Sequence, residues 1–213
     1  MDRIARRRQA VMDEALTHAI DIMTEKGVGG LTVVEVARRS GIRGPSLYKY
    51  FDSLHALYDS LFARGLQAQL GAVRAATADA EPGVMRMRAA AQALVRWASA
   101  NPALAQLLFW RVVPSFTPSP TTLAASSQDM AELRAELREA VARGELRPEA
   151  DTQEALRLWT VVLSGVISQQ MANDPGATYE EGTFSQLTDR AVDLFITTYQ
   201  NPIAGGPHAT TGP

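Results

Sequence analysis

Between Arg43 and Tyr50 the chain reads Arg-Gly-Pro-Ser-Leu-Tyr-Lys-Tyr. Arg43, Ser46, Tyr48, Lys49 and Tyr50 are all hydrogen-bond donors, packed into one short stretch. Gly44 and Pro45 carry no long side chain, so the backbone there can approach a partner closely, and Pro45 suits the first turn of a helix. An arginine at this point can reach paired acceptors such as guanine O6 and N7. Hydroxyls and an ammonium suit phosphate oxygens, which position a reader without conveying sequence. Tyr48 and Tyr50, two apart, face different sides of a helix; the Tyr50 ring has core packing as its alternative. Thr32 suits a helix cap and a phosphate donor at once, because a helix N-terminus also attracts anions. The chemistry offered is recognition of a polyanion with readable edges.

Catalytic chemistry has no comparable cluster. His18, His55 and His208 lie far apart, and none stands at a motif spacing from a carboxylate or serine. There is no glycine-rich phosphate loop, no His-x-x-x-His and no Asp-x-Asp. Zero cysteines exclude disulfides and thiolate metal sites. No enzyme activity, no cofactor and no metal site is expected.

The donors need a frame, and residues 32–51 supply it. Thr32 with Glu35 three residues on has the form of a capping box. Val33, Val36 and Ala37 follow at helical spacing. Gly41 stands where the helix must stop and accepts the left-handed conformation of a stop. Leu47 and Phe51, four apart, share a face that can dock on Ala37. Two short helices near 32–40 and 44–51 joined by a glycine turn make a helix-turn-helix, whose second helix enters the major groove of DNA.

At these residues the chain resembles a known family. Gly-Ile-x-x-Pro-Ser-Leu-Tyr-x-Tyr-Phe behind one long N-terminal helix is similar to the tetracycline-repressor-type (TetR) regulators, over roughly residues 10–62. A weaker likeness surrounds Trp159 to Met171. The resemblance implies an all-helical dimer that binds a palindromic operator in double-stranded DNA and answers to a small effector. One position departs from the pattern: where the family usually has a phosphate-touching lysine after Tyr-x-Tyr-Phe, this chain has Leu54. His55, Arg39 and a helix-terminal amide at Ser53 are the candidates to replace it.

The charge is distributed to match. Over 213 residues the net charge is −2, yet residues 1–50 hold nine Lys and Arg against six Asp and Glu. The remainder holds twelve against seventeen, so a basic front precedes an acidic back. Arg6, Arg7 and Arg8 are placed either to reach an adjacent DNA backbone or to stand in solvent. Hydrophobic content of 46% suffices for a packed core. No apolar run approaches the ~18–20 residues of a membrane span, and no apolar core follows the basic N-terminus. No membrane association and a cytoplasmic location are expected.

Strand signals are scarce, and the pattern predicts an all-α chain of about nine helices. The first spans about 6–26, with Val11, Ala15, Leu16, Ala19, Ile22 and Met23 as its apolar stripe. After the motif, a helix capped by Ser53 runs to about 78. Glu81-Pro82 and Asn101-Pro102 open helices near 82–100 and 102–112. Others span about 122–143, 151–173 (from an Asp151–Glu154 capping box) and 184–200. This divides the chain into a helix-turn-helix domain at 1–52, a ligand-binding and dimerisation domain at 53–200 and a flexible tail at 201–213.

In the second domain, Leu158 to Ile167 is apolar on nearly every face and must be buried all round. Together with the last helix it has apolar surface for its own core and for a second subunit. Trp159, Val162, Gly165, Val166, Leu187, Ala191, Leu194 and Phe195 are the expected faces of a four-helix dimer interface. Gly165, unfavourable within a helix by about 1 kcal/mol relative to alanine, fits the close approach of a partner helix. Trp97, Phe109, Trp110, Phe116, Met130 and Trp159 are candidates to line an effector cavity, with Arg96, Arg111, Gln169 and Gln170 to orient a mostly apolar ligand. The competing reading is a helical ligand-binding or scaffolding protein with an unused DNA motif, which binding without sequence preference would favour.

Overall fold

A computed structural model describes residues 3–201; among them are nine α-helices and no strand. The segment expected to be a tail, apart from Asn201, lies outside the described residues. The helices are α1 (Arg3–Lys26), α2 (Val33–Arg39), α3 (Gly44–Leu47), α4 (Leu54–Thr77), α5 (Val84–Ala100), α6 (Pro102–Phe109), α7 (Pro120–Ala142), α8 (Gln153–Asn173) and α9 (Thr188–Tyr199). None of these is long and apolar enough to cross a membrane.

Two apolar clusters hold them. The first gathers Ala15, Leu16, Ala19, Ile22 and Met23 of α1 with Val36, Ala37, Leu47 and Phe51 of the motif, and continues onto α4 and α6. Tyr58 on α4 is buried in it, and its hydroxyl donates to the Val28 carbonyl at 2.7 Å, tying α4 to the turn after α1. The second cluster joins α5, α7, α8 and α9 around Met87, Leu137, Trp159 and Phe195. Gly65 lets α6 lie close on α4, since a methyl group there would come within 2.6 Å of Leu108. The 24-residue α4 runs unbroken from the motif into the second cluster's neighbourhood, a continuous link between front and back.

Three of the helix starts that differ from the sequence reading do so for a tertiary reason. α5 begins at Val84 rather than at Pro82, after Gly83 at a φ of 88°. Its first amides are taken by distant carboxylates, Gly83 N–H by Glu136 (3.1 Å) and Val84 N–H by Glu145 (2.9 Å). α8 is capped by Thr152, whose hydroxyl accepts from Ala155 N–H, while Asp151 pairs with Arg134 and Arg138 of α7. α9 is preceded by a 3₁₀ turn at Ser185–Leu187 instead of starting at 184. Gln170 organises that turn: its side-chain oxygen accepts from Phe184 and Ser185 N–H at 3.0 Å each, and its amide donates to the Asp174 carbonyl at 2.6 Å. Gln170 is therefore a structural clamp, not a ligand-orienting group.

Candidate nucleic-acid interface and effector cavity

The motif forms as a helix-turn-helix. Thr32 caps α2, its hydroxyl accepting from Glu35 N–H at 3.3 Å. The capping box is only half made, because the Glu35 carboxylate turns away to Arg38 and Arg39. Thr32 stays exposed and keeps its hydroxyl hydrogen for an outside acceptor. Gly41 ends α2 at a φ of 65°, a conformation that suits glycine. Arg43 is the N-cap residue of α3, and Gly44 and Pro45 form its first turn. Regular α3 is shorter than the sequence pattern implied, ending at Leu47, with a tight turn through Tyr50.

Leu47 and Phe51 are buried, which turns the rest of α3 outward. Arg43, Pro45, Tyr48 and Lys49 are exposed, and Gly44, Ser46 and Tyr50 are half-buried. Tyr50 packs against the first cluster with the Arg8 guanidinium 5.2 Å above its ring, and Arg8 also donates to the Lys49 carbonyl at 2.7 Å. Arg8 thus braces the end of the motif from α1, while Arg6 and Arg7 are exposed.

Behind the motif lies an ion-pair cluster. Arg39 grips Glu25 with two bonds, 2.8 and 2.5 Å, and reaches Glu35 at 3.2 Å. Glu35 also accepts two bonds from Arg38 at 2.9 Å each and lies 3.6 Å from Lys26. These cations, Arg38 first, hold the Glu35 carboxyl down from its usual 4.5 to about 2. Arg39 is thereby committed to α1 and α2 and does not replace the phosphate-contacting lysine. Leu54 is half-buried, and His55 lies against Phe116 at 6.0 Å. Ser53 caps α4 through Ala56 N–H at 3.0 Å, and the amides of Leu54 and His55 open the helix with no intrahelical carbonyl to bond.

The second domain holds a cavity of about 150 Å³ between α4, α5, α7 and α8, with Phe109 of α6 also in its lining. Phe109, Met130 and Trp159 line it. Trp97, Trp110, Phe116 and Gln169, also expected there, do not. Trp97 is buried in the first cluster, and Trp110 packs on its surface. Phe116 folds back from the loop after α6 onto His55, Tyr58 and Phe62, at the motif's end of α4. Gln169 is exposed on α8. Arg96 is engaged outside the cavity, over the Tyr179 ring and in an ion pair with Glu180, and Arg111 is exposed. The other ten lining residues were not among those expected, and three of them are polar: Gln69, Thr160 and Ser164. Gln69 interrupts the apolar stripe of α4, and that interruption was its available signal.

The expected dimer faces also divide. Gly165, Val166, Leu187, Ala191 and Leu194 line one groove on the outer surface of α8 and α9. Leu187 and Leu194 are exposed, and so is Val161 one turn before Gly165. Trp159 and Phe195 point the other way: they meet edge to face at 5.1 Å in the core, 4% and 1% exposed. They belong to the protein's own packing, as the two-sided stripe of α9 allows. Val162 is half-buried between the two faces.

A three-helix head with an outward donor-rich helix, set on a helical body with a cavity, defines the class of helix-turn-helix regulators. Residues 15–61 match the family described as bacterial regulatory proteins, tetR family, and residues 87–195 match the tetracyclin repressor-like C-terminal domain. The chain belongs to the TetR family of transcriptional regulators, which are DNA-binding proteins and not enzymes.

Solved structures share the fold. A protein of unknown function from Rhodococcus sp. RHA1 is 23% identical, covering 90% of this chain and 96% of its own, with a TM-score of 0.71. The TetR family regulator PfmR from Thermus thermophilus is 21% identical, covering 87% and 98%, at 0.66. The regulator FadR from Bacillus subtilis, solved with stearoyl-CoA, is 14% identical, covering 87% and 97%, at 0.70. No curated protein matches the sequence.

Proposed function

We propose that this regulator is a homodimeric repressor. Residues 1–52 read DNA, and residues 53–200 dimerise and bind an effector. The observation that carries the reading is the continuity of α4, which starts at the end of the DNA-reading motif and supplies Gln69 and Val73 to the cavity wall. In this reading α3 of each subunit enters the major groove at one half of a near-palindrome. Arg43 reaches base edges, while Thr32, Ser46, Tyr48, Lys49 and the Tyr50 hydroxyl serve phosphates and Gly44 and Pro45 allow close approach. The amides of Leu54 and His55 take the phosphate that the family's lysine would hold. The exposed apolar groove of α8 and α9 meets its own copy across a two-fold axis. A small, mostly apolar molecule entering the cavity moves α4 and releases the operator.

The test is selection of bound sequences from a random DNA pool, repeated across a range of salt. An enriched palindrome with a steep salt slope is expected, since phosphate contacts release counterions and base contacts specify sequence. Uniform weak binding to all sequences would overturn the reading.

A further inference from the structure

The cavity wall has one side unlike the rest. Along α4 the buried stripe runs Phe62, Leu66, Leu70, and Gln69 stands within it at only 4% exposure. Among the described residues the Gln69 amide has no hydrogen-bond partner. Gln170, equally buried, has all its capacity engaged by backbone groups. The polar atoms of Gln69 are not among the fully enclosed unpartnered ones of the described residues, Ser40 Oγ and Arg147 Nε, so the Gln69 amide opens onto the cavity and is free to meet whatever enters it. Across from it on α8, Ser164 also has no hydrogen-bond partner among the described residues. Thr160 donates its own hydrogen to the Leu156 carbonyl at 3.0 Å and retains acceptor capacity. The other ten lining residues are aliphatic or aromatic, Trp159 adding an indole N–H, and none of the thirteen carries a charge.

We infer that the cavity takes a compact, uncharged molecule with an apolar body and one hydrogen-bonding group, of the phenol, alcohol or ketone kind, held by Gln69. This rests on the proposed reading of the cavity as an effector site. A glutamine amide both donates and accepts, so it matches a hydroxyl or a carbonyl alike. A carboxylate would lose its water and find no cation in the wall. A volume of about 150 Å³ is enough for a single six-membered ring. Because Gln69 sits on α4, the ligand's polar group engages the helix that leads to the DNA-reading motif.

Benzene, phenol and benzoate share one ring and differ only in the polar group, which makes them suitable probes for the full chain. Binding is followed by calorimetry and by the side-chain amide signals of a ¹⁵N spectrum, the Gln69 pair being recognised by its loss in Gln69→Met. Phenol should bind about 3- to 10-fold more tightly than benzene, benzoate most weakly, and phenol alone should shift the Gln69 pair strongly. Gln69→Met, unbranched and of similar length, should keep benzene binding and lose the preference. Ser164→Ala, a milder change, should reduce it in part.

The assignment is overturned if benzoate binds best, if phenol and benzene bind alike, if Gln69→Met keeps the preference, or if none of the three binds. Operator release is measured separately. Phenol bound at Gln69 with no effect on DNA would support this assignment and overturn the effector reading. A compound that releases DNA while leaving the Gln69 signals unmoved would do the reverse.

Discussion

Arg39 and Arg43 are four residues apart and have opposite duties. Arg39 is held between Glu25 and Glu35, whereas Arg43 is exposed and makes no ion pair among the described residues. Replacing Arg43 by alanine should therefore leave stability nearly unchanged and weaken operator binding by about 1–3 kcal/mol if its contact is bidentate. Measured against a panel of single-base operator variants, the loss should fall on one base pair. An equal loss on every sequence would reassign Arg43 to phosphate. Glu35 supports a prediction about pH. Its carboxyl is lowered from 4.5 to about 2, so the favourable pairing is complete above about 4.5 and disappears as pH falls through about 2. Glu35→Gln should lower the melting temperature at pH 7, and its difference from the parent should shrink between those two values and vanish below them. A difference independent of pH would show that packing, not charge, is what Glu35 contributes. The outward donors of α3 were legible because their order along the chain is local. The direction in which Glu35 turns was not, because its competitors for the capping bond include Arg39, which it shares with Glu25 on another helix.

Caps made within a few residues were legible at the scale of elements, and caps made across space were not. Ser53 and Thr32 act on amides three residues ahead, so spacing reveals them. The start of α5 depends on Glu136 and Glu145, about fifty and sixty residues away, and no local signal marks it. The aromatic residues obey the same limit: helical spacing shows that a ring is turned inward, not which cluster receives it. Phe116 shows why this matters. Its loop carries it back onto α4, where its ring lies 5.7 Å from Tyr58 and 6.5 Å from Phe62. Asp59 fastens the same loop by accepting from Ser119 N–H at 2.7 Å and the Thr122 hydroxyl at 3.3 Å. Being half-buried, Phe116 replaced by alanine should cost about 1–2 kcal/mol, below the range for a fully enclosed ring, as read by denaturant unfolding. If this loop also carries the effector signal, the variant should bind operator normally while responding less to ligand. Gly165 separates element from assembly. A methyl group there would meet nothing within 4 Å in the isolated chain, so Gly165→Glu should leave helix content intact by circular dichroism. If the groove of α8 and α9 is the dimer face, the same change should halve the mass seen by light scattering. A variant still dimeric would place the interface elsewhere.

For the whole molecule, the question is what a ligand in the back can do to a helix in the front. It can shift an equilibrium only by as much as its affinity differs between two arrangements of the proposed dimer. In the DNA-bound arrangement the two copies of α3 must be spaced for successive major grooves, about 34–36 Å apart for simple helix-turn-helix dimers. In the proposed reading, an effector that wedges α4 away from α8 favours another spacing. The chain contains no cysteine, so a single Thr17→Cys on the exposed side of α1 gives one attachment point for a spin label on each DNA-reading head. Distances between the labels should form one narrow distribution on operator DNA and a second, displaced one with effector. The free protein should populate both, in a ratio set by their energy difference. Gln69→Met should leave the DNA-bound distance alone and reduce the displacement caused by a ligand whose polar group Gln69 engages. If ligand released the operator while the distribution stayed fixed, separation of the heads would not be the switch. The loop fastened by Phe116 and Asp59, acting within one subunit on the start of α4, would then be the route to examine.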